Sequence, residues 1–439
     1  MKNKRILLSL LLVLTIVFTA CSKPNSNQAV KENIKEEVSE EASSKENKGL
    51  VNEAVDKEMG VPYEVGVTPD NFDMDYDTSR LLSLEDKKSK YYPKDGVKGL
   101  YLNTYIINNP QSYKEIKDLL ENTRLNAVVV DVKDDWGNIT MAFDTDDEDI
   151  NYAKTDIVDP KTFIKEMHDM GIYVIGRVTT FKDSIITEKH PDWGFTLEDG
   201  SLWTNGHEEA FMNPFLKEVQ DYDINIAKLA AEAGFDEVQF DYIRFAEGFE
   251  TFGDTLDYSR GEFEDKDMDE GDKRVEAITG FVARAREELQ NYNVPISIDV
   301  FGYALQVQRA AGIGQDFGEM SNETDIICSM IYPSHWGPNS FDIEKPDLAP
   351  YELVKRYLEE EQDYLKSLDH EPLSRPWIQD FTASWIGEGN WMEYDKEAVE
   401  AQIKAIYDSG QKEFLLWNAS GEYTEGVDYW WNIQKQIIL

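Results

Sequence analysis

The sequence is short of cysteine, histidine and positive charge, and each shortage removes a class of function. Its two cysteines, Cys21 and Cys328, do not read as a pair, so no disulfide framework is expected. Cys328 lies in the apolar run DIICSMIY and reads as a buried, inert thiol. The five histidines, His168, His190, His207, His335 and His370, form no close ligand pair and no HExxH, which disfavours metal catalysis. No metal and no cofactor is expected. The 44 basic residues are outnumbered by 86 acidic ones, for a formal net charge of −42. That balance opposes nucleic acid, whose phosphates call for Lys and Arg clusters, and it opposes a polybasic membrane contact. It reads as a solvated acidic surface. There is no GxSxG serine elbow, no GxGxxG where a dinucleotide fold would need it, and no repeat at solenoid periods.

What is present begins with an export signal. Residues 1–21, MKNKRILLSLLLVLTIVFTAC, have a basic start, an apolar run and small residues before the cysteine. Thr19-Ala20-Cys21 resembles a bacterial lipobox, with Phe18 where leucine is usual, and this implies lipidation at Cys21. The chain is then expected to be exported and lipid-anchored to the outer face of the bacterial cell membrane. Residues 22–58 are rich in Ser, Asn, Lys and Glu and contain no aromatic residue, so they read as a disordered tether. Residues 59–95 read as an N-terminal extension draped over the folded part.

From Gly96 onward strands and helices alternate. Strands are expected at 99–103, 127–133, 172–178, 236–243, 294–301, 325–332, 375–381 and 413–418. Helices are expected at 112–124, 160–171, 213–234, 274–290, 351–368 and 396–410. The strands are near-continuous apolar runs, the mark of parallel strands covered on both faces. Eight of them over residues 96–439 predict an α/β fold, a (β/α)8 TIM barrel with long loops. The weakest link is 304–322, a poor helix. The acidic runs DTDDEDI (144–150) and DKDMDEGDKR (265–274) read as solvated loops; in the second, Gly271 stands one place late for an EF-hand.

Polar residues gather at the C-terminal ends of these strands, the end of a TIM barrel that carries chemistry. They include Asn103, Asp131, Lys133, Arg177, Gln239, Asp241, Asp299, Ser329, Tyr332, Gln379, Asp380, Trp417 and Asn418. Strand alternation puts Asp131 with Lys133, and Gln239 with Asp241, on shared faces. Carboxylates converging on one rim push their pKa values apart, as acid and base work requires.

VVVDVKDDWG (128–137), HPDW (190–193), AGFDEVQFDYIRF (233–245), SIDVFG (297–302), IGQD (313–316) and MIYPSHW (330–336) together resemble the glycoside hydrolase domain family of secreted bacterial TIM-barrel proteins. The resemblance spans about residues 96–439 and implies a TIM-barrel hydrolase acting on glycosidic bonds. Two departures stand out. Ala246 follows DYIRF where proline is expected. Gln239 and Asp299 occupy the places where α-amylase-like barrels carry an arginine and the glutamate acid.

Glycoside hydrolysis needs two carboxyl groups flanking the bond. Asp241 is the expected nucleophile or base. Asp299 is the first choice for the acid and Asp131 the second. Lys133, Arg177 and Arg244 would tune charge. Gln239, Tyr332, His335, Gln379, Asp380 and Asn418 would contact the substrate, and Trp136, Trp336, Trp385 and Trp417 are candidate sugar platforms, core packing being the alternative for each. The reading is a cell-surface lipoprotein that cleaves O-glycosidic bonds of a polysaccharide or cell-wall glycan; the alternative is a barrel that binds glycan without cutting it. No protein partner is expected beyond the carbohydrate and the membrane reached through Cys21.

Overall fold

A computed structural model describes residues 82–430; Cys21, the tether and residues 59–81 lie outside them. Eight parallel strands close into a barrel: β1 Lys98–Leu102, β2 Ala127–Lys133, β3 Tyr173–Thr179, β4 Glu237–Asp241, β5 Ile296–Phe301, β6 Ile326–Met330, β7 Trp377–Gln379 and β8 Phe414–Trp417. Each pairs with its successor, and β8 and β2 both pair with β1, so no edge is left open. The expected (β/α)8 barrel is what forms. Its strands fall inside the expected ranges to within a residue.

The helices start where the sequence supplies caps. Asn109 accepts from the backbone N–H groups opening α1 (Pro110–Asn122), and Asp159 does the same for α2 (Pro160–Asp169), each with proline in the first turn. Gly234, at φ 104°, ends α3 (Lys217–Ala233) in the left-handed region. Two acidic stretches read as loops turn out to open helices. Asp147 caps Glu148–Ala153, and Asp269 caps α4 (Glu270–Leu289). The poor helix at 304–322 resolves into a short helix (Tyr303–Val307), a small hairpin (Arg309–Ala310 with Gln315–Asp316) and a second short helix (Phe317–Asn322).

The core has two shells. The outer one lies between strands and helices and includes Leu100, Val128, Val130, Phe240, Ile298 and Leu416. The inner one fills the barrel with Tyr101, Val129, Ile175, Cys328, Trp377 and Leu415. At the N-terminal pole the filling becomes ionic. Arg375, fully buried, donates to Glu237 and Glu413, and Ser297 and Tyr173 also donate to Glu237. Residues 82–95 cap this pole. Lys87 pairs with Asp325, Ser89 bonds to Asp236, Tyr92 bonds to Glu413, and Tyr91 stacks on His168 at 3.6 Å. Among the described residues, no helix is long and apolar enough to cross a membrane.

Candidate active site

The opposite pole is open. Its floor is set by Arg177 of β3, 1% exposed, whose fork reaches three carboxylates. Nε and Nη2 both donate to Asp241 Oδ2, at 2.9 and 2.6 Å. Nη1 donates to Asp131 Oδ1 at 2.7 Å and Nη2 to Asp135 Oδ1 at 2.7 Å. A planar guanidinium makes such divergent contacts where lysine could not. The Tyr101 hydroxyl holds the other oxygen of Asp131 at 2.6 Å.

The chain turns sharply after Asp241. Tyr242 has φ 51°, a conformation that costs a bulky side chain energy and clusters at functional sites. The turn lets the Tyr242 N–H donate to Asp241 Oδ1 at 2.6 Å. It also sets the Tyr242 ring beside two cations, Lys182 Nζ at 4.7 Å and the Arg244 guanidinium at 4.8 Å from its centre. Arg244 lies as well over Phe301, at 4.6 Å.

The carboxylates sit in different electrostatic settings. Asp299, on the neighbouring strand β5, accepts a hydrogen bond from Trp377 Nε1 at 2.8 Å. Burial pushes its carboxyl well above the usual range and the charge of Asp241 adds to the push, against a weaker pull from Trp377 and Arg177. Burial likewise lifts Asp131 to about 7, against the pull of Arg177. Asp241, by contrast, is ion-paired to Arg177.

Above this floor lies a cavity of about 550 Å³. Of the residues singled out in the sequence, Arg177, Asp241, Arg244, Asp299, Tyr332, Trp385, Trp417 and Asn418 line it. The others do not, and for each the reason is physical. Asp131 stands behind Arg177, both its oxygens engaged. A register shift between Asp131 and Lys133 breaks strand alternation, and Lys133 turns outward to pair with Asp183 and Asp223. Gln239 lies one layer deeper in the barrel, donating to Cys328 Sγ. Gln379 is fully buried, tying Asp347 and the Phe381 carbonyl to the Ser334 N–H. Asp380 holds the loop after β8 through Thr424, and burial lifts it to about 6. Trp336 packs on Phe341 and Tyr357 in the outer core. His335 bonds to Ser334 and lies edge-on to Tyr332 and Phe381. Trp136 is 44% exposed, outside the cavity wall.

Sequence reasoning passed over several cavity residues: Lys182, Trp203, His207, Tyr242, Phe301 and Trp377. Nearness to a strand end could have pointed to Lys182, Tyr242, Phe301 and Trp377, whereas Trp203 and His207 lie deep in the connection after β3. A hollow of about 670 Å³ at the other pole, between residues 85–96 and the segments before β7 and β8, gathers none of the residues from the strand C-termini.

A family described as "Putative glycosyl hydrolase domain" matches residues 99–423. Among solved structures, a hypothetical protein from Ruminiclostridium thermocellum is 33% identical, over 46% of this chain and 97% of that one, with a TM-score of 0.39. The PgaB (BpsB) glycoside hydrolase domain from Bordetella bronchiseptica is 14% identical, over 75% of this chain and 95% of that one, with a TM-score of 0.53. That likeness is one of fold. An α-amylase from Lactobacillus plantarum is 12% identical, over 78% of each chain, with a TM-score of 0.44. No curated protein sequence matches the chain.

Proposed function

Since the chain belongs to the putative glycosyl hydrolase domain family, we propose that it is a lipid-anchored surface enzyme that cleaves O-glycosidic bonds of a polysaccharide or cell-wall glycan with two carboxyl groups, Asp241 and Asp299. One observation carries the reading. Both groups open on the same cavity from adjacent strands, one ion-paired to Arg177 and the other lifted by burial and by the charge of Asp241, which outweigh the pull of Arg177 on it. Two carboxyl groups in opposed settings are what acid and nucleophile or base require. In this scheme Asp299 gives its proton to the departing oxygen. Asp241 attacks the anomeric carbon or activates the water that does. Arg177 keeps Asp241 aimed, and Asp131 and Asp135 keep Arg177 aimed.

The export signal and Cys21 support a surface location. Globomycin treatment, which blocks cleavage of lipoprotein precursors, should leave a longer precursor in the cell; Cys21→Ser should release the protein from membranes. Processing and membrane retention unchanged by both would overturn the anchor.

The chemistry is tested by reducing-sugar release from wall and plant polysaccharides, using the chain from residue 22 onward. Asp241→Asn and Asp299→Asn should each lower the rate by about 100-fold or more. Equal activity in parent and variants would remove both residues from the mechanism. The second reading, a barrel that binds glycan without cutting it, draws on the depth of Asp299, which is only 2% exposed. Glycan binding with no hydrolysis in the parent would favour it.

A further inference from the structure

The cavity carries two stacked aromatic pairs as well as its carboxylates. Trp203 stacks on Phe252, ring centres 4.9 Å apart and planes 22° from parallel. Trp385 stacks on Phe381, at 5.9 Å and 12°. All four rings line the same cavity as Asp241 and Asp299. Their stacking partners fix their places around the mouth. Trp203, in the long connection after β3, is held through Phe252 against the connection after β4, and Trp385 lies just after β7. In a closed ring of eight strands β4 and β7 are three strands apart one way and five the other, so the two platforms stand in different sectors of the mouth. Asp241 and Asp299 rise from β4 and β5, on the arc between them. Trp417, on β8, stands perpendicular to Trp377 and belongs to the floor.

A tryptophan face is electron-rich, while the C–H bonds on one face of a sugar ring are slightly positive and apolar. Such a face binds a sugar best when it is already held in place, because little freedom is then lost on binding. The phenylalanine behind each indole supplies that hold. A site that trimmed single sugars from a chain end would need such a surface on one side and a wall on the other. Here both sides carry one.

We propose that the cavity receives an internal stretch of a polysaccharide, with Trp203 and Trp385 carrying sugar rings on opposite sides of the reacting bond. The inference rests on the glycoside hydrolase reading of the same site and makes the cut an endo cut. Hydrolysis adds one water across the bond, hydroxyl to the anomeric carbon and proton to the departing oxygen, so two oligosaccharides leave.

The test is electrophoresis in native gels cast with glycol chitin, arabinoxylan, pullulan or carboxymethylcellulose, using the chain from residue 22 onward. At least one polymer should retard the parent. In that gel, Trp203→Ala and Trp385→Ala should each weaken retention about tenfold or more. Trp136→Ala should leave it unchanged. Trp203→Phe and Trp385→Phe keep a flat ring and should recover most of the retention, which separates a lost platform from a misfolded protein. Loss at only one of the two tryptophans, loss at neither, or no retardation in any gel overturns the inference. Turnover of aryl glycosides without retardation would sink it while sparing the hydrolase reading. Retention through both tryptophans with no bond cut would sink the hydrolase reading and leave the two platforms standing.

Discussion

Arg177 directs two of its nitrogens at a single oxygen of Asp241 while its third holds Asp131. Removing that guanidinium leaves three carboxylates facing one another at the barrel mouth. Arg177→Met should therefore destabilise the protein by about 3–5 kcal/mol, the usual cost of breaking a buried ion pair. Arg177→Lys keeps the charge but cannot fork to all three, so it should recover part of the stability and little of the activity. Urea unfolding paired with rate measurements separates the two effects. A lysine variant as active as the parent would show that the fork does not aim Asp241.

The Tyr101 hydroxyl donates a hydrogen bond to Asp131, whose folded pKa of about 7 stands above the ordinary carboxylate value of 3.8. A raised folded pKa means that this carboxyl's contribution is complete below about pH 4 and is lost as pH rises through about 7. The hydroxyl pulls Asp131 down, so Tyr101→Phe lifts it further. The stability gap between parent and Tyr101→Phe should thus widen by about 1–2 kcal/mol from pH 5 to pH 8. A gap that stays constant across that range would separate the hydroxyl from the charge on Asp131.

Glu361, on the helix Pro350–Leu365, is wholly buried against Ser329 and Ser374, whose hydroxyls donate to its two oxygens at 2.6 Å. Burial pushes its carboxyl up, and no cation opposes the push. Its stabilising contribution is therefore present at low pH and lost as pH rises. Glu361→Gln keeps the shape and can still meet both hydroxyls. The variant should equal or exceed the parent in unfolding free energy at pH 8, with the difference shrinking toward pH 4. A large loss at both pH values would mean that the carboxyl is needed for something other than shape.

Gly137 has φ +103°, and a Cβ there would stand 2.1 Å from Asp183 Oδ1. Asp183 is itself bound to Lys133 at 2.9 Å. Gly137→Ala should cost about 1–3 kcal/mol through backbone strain, with a further loss from disturbing that pair. Thermal unfolding of the variant measures it. An unchanged melting temperature would show that the turn after β2 can relax.

The barrel was legible because its strands are covered on both faces and so run apolar for most of their length. AVVVDVK is buried at every position. Asp241, Asp299 and Arg177 stood out as charges within such runs. What stayed hidden was depth and twist. Gln239 shares a face with Asp241, but two residues along a strand is about 7 Å, enough to place it in the packed layer below. Lys133 was assigned to the mouth by alternation, which the register shift beside it breaks. Trp336 and Gln379 lie near strand ends, yet neighbouring helices and loops claim them. Trp203 was invisible for the opposite reason. It lies 24 residues beyond the end of β3, and no local pattern tells where a connection of that length returns.

The segment that seals the base of the barrel also keeps one pole closed while the other stays free. Lys87, Ser89 and Tyr92 are bonded at the N-terminal pole, so residues 82–95 lie on the side away from the cavity and leave its opening to the substrate.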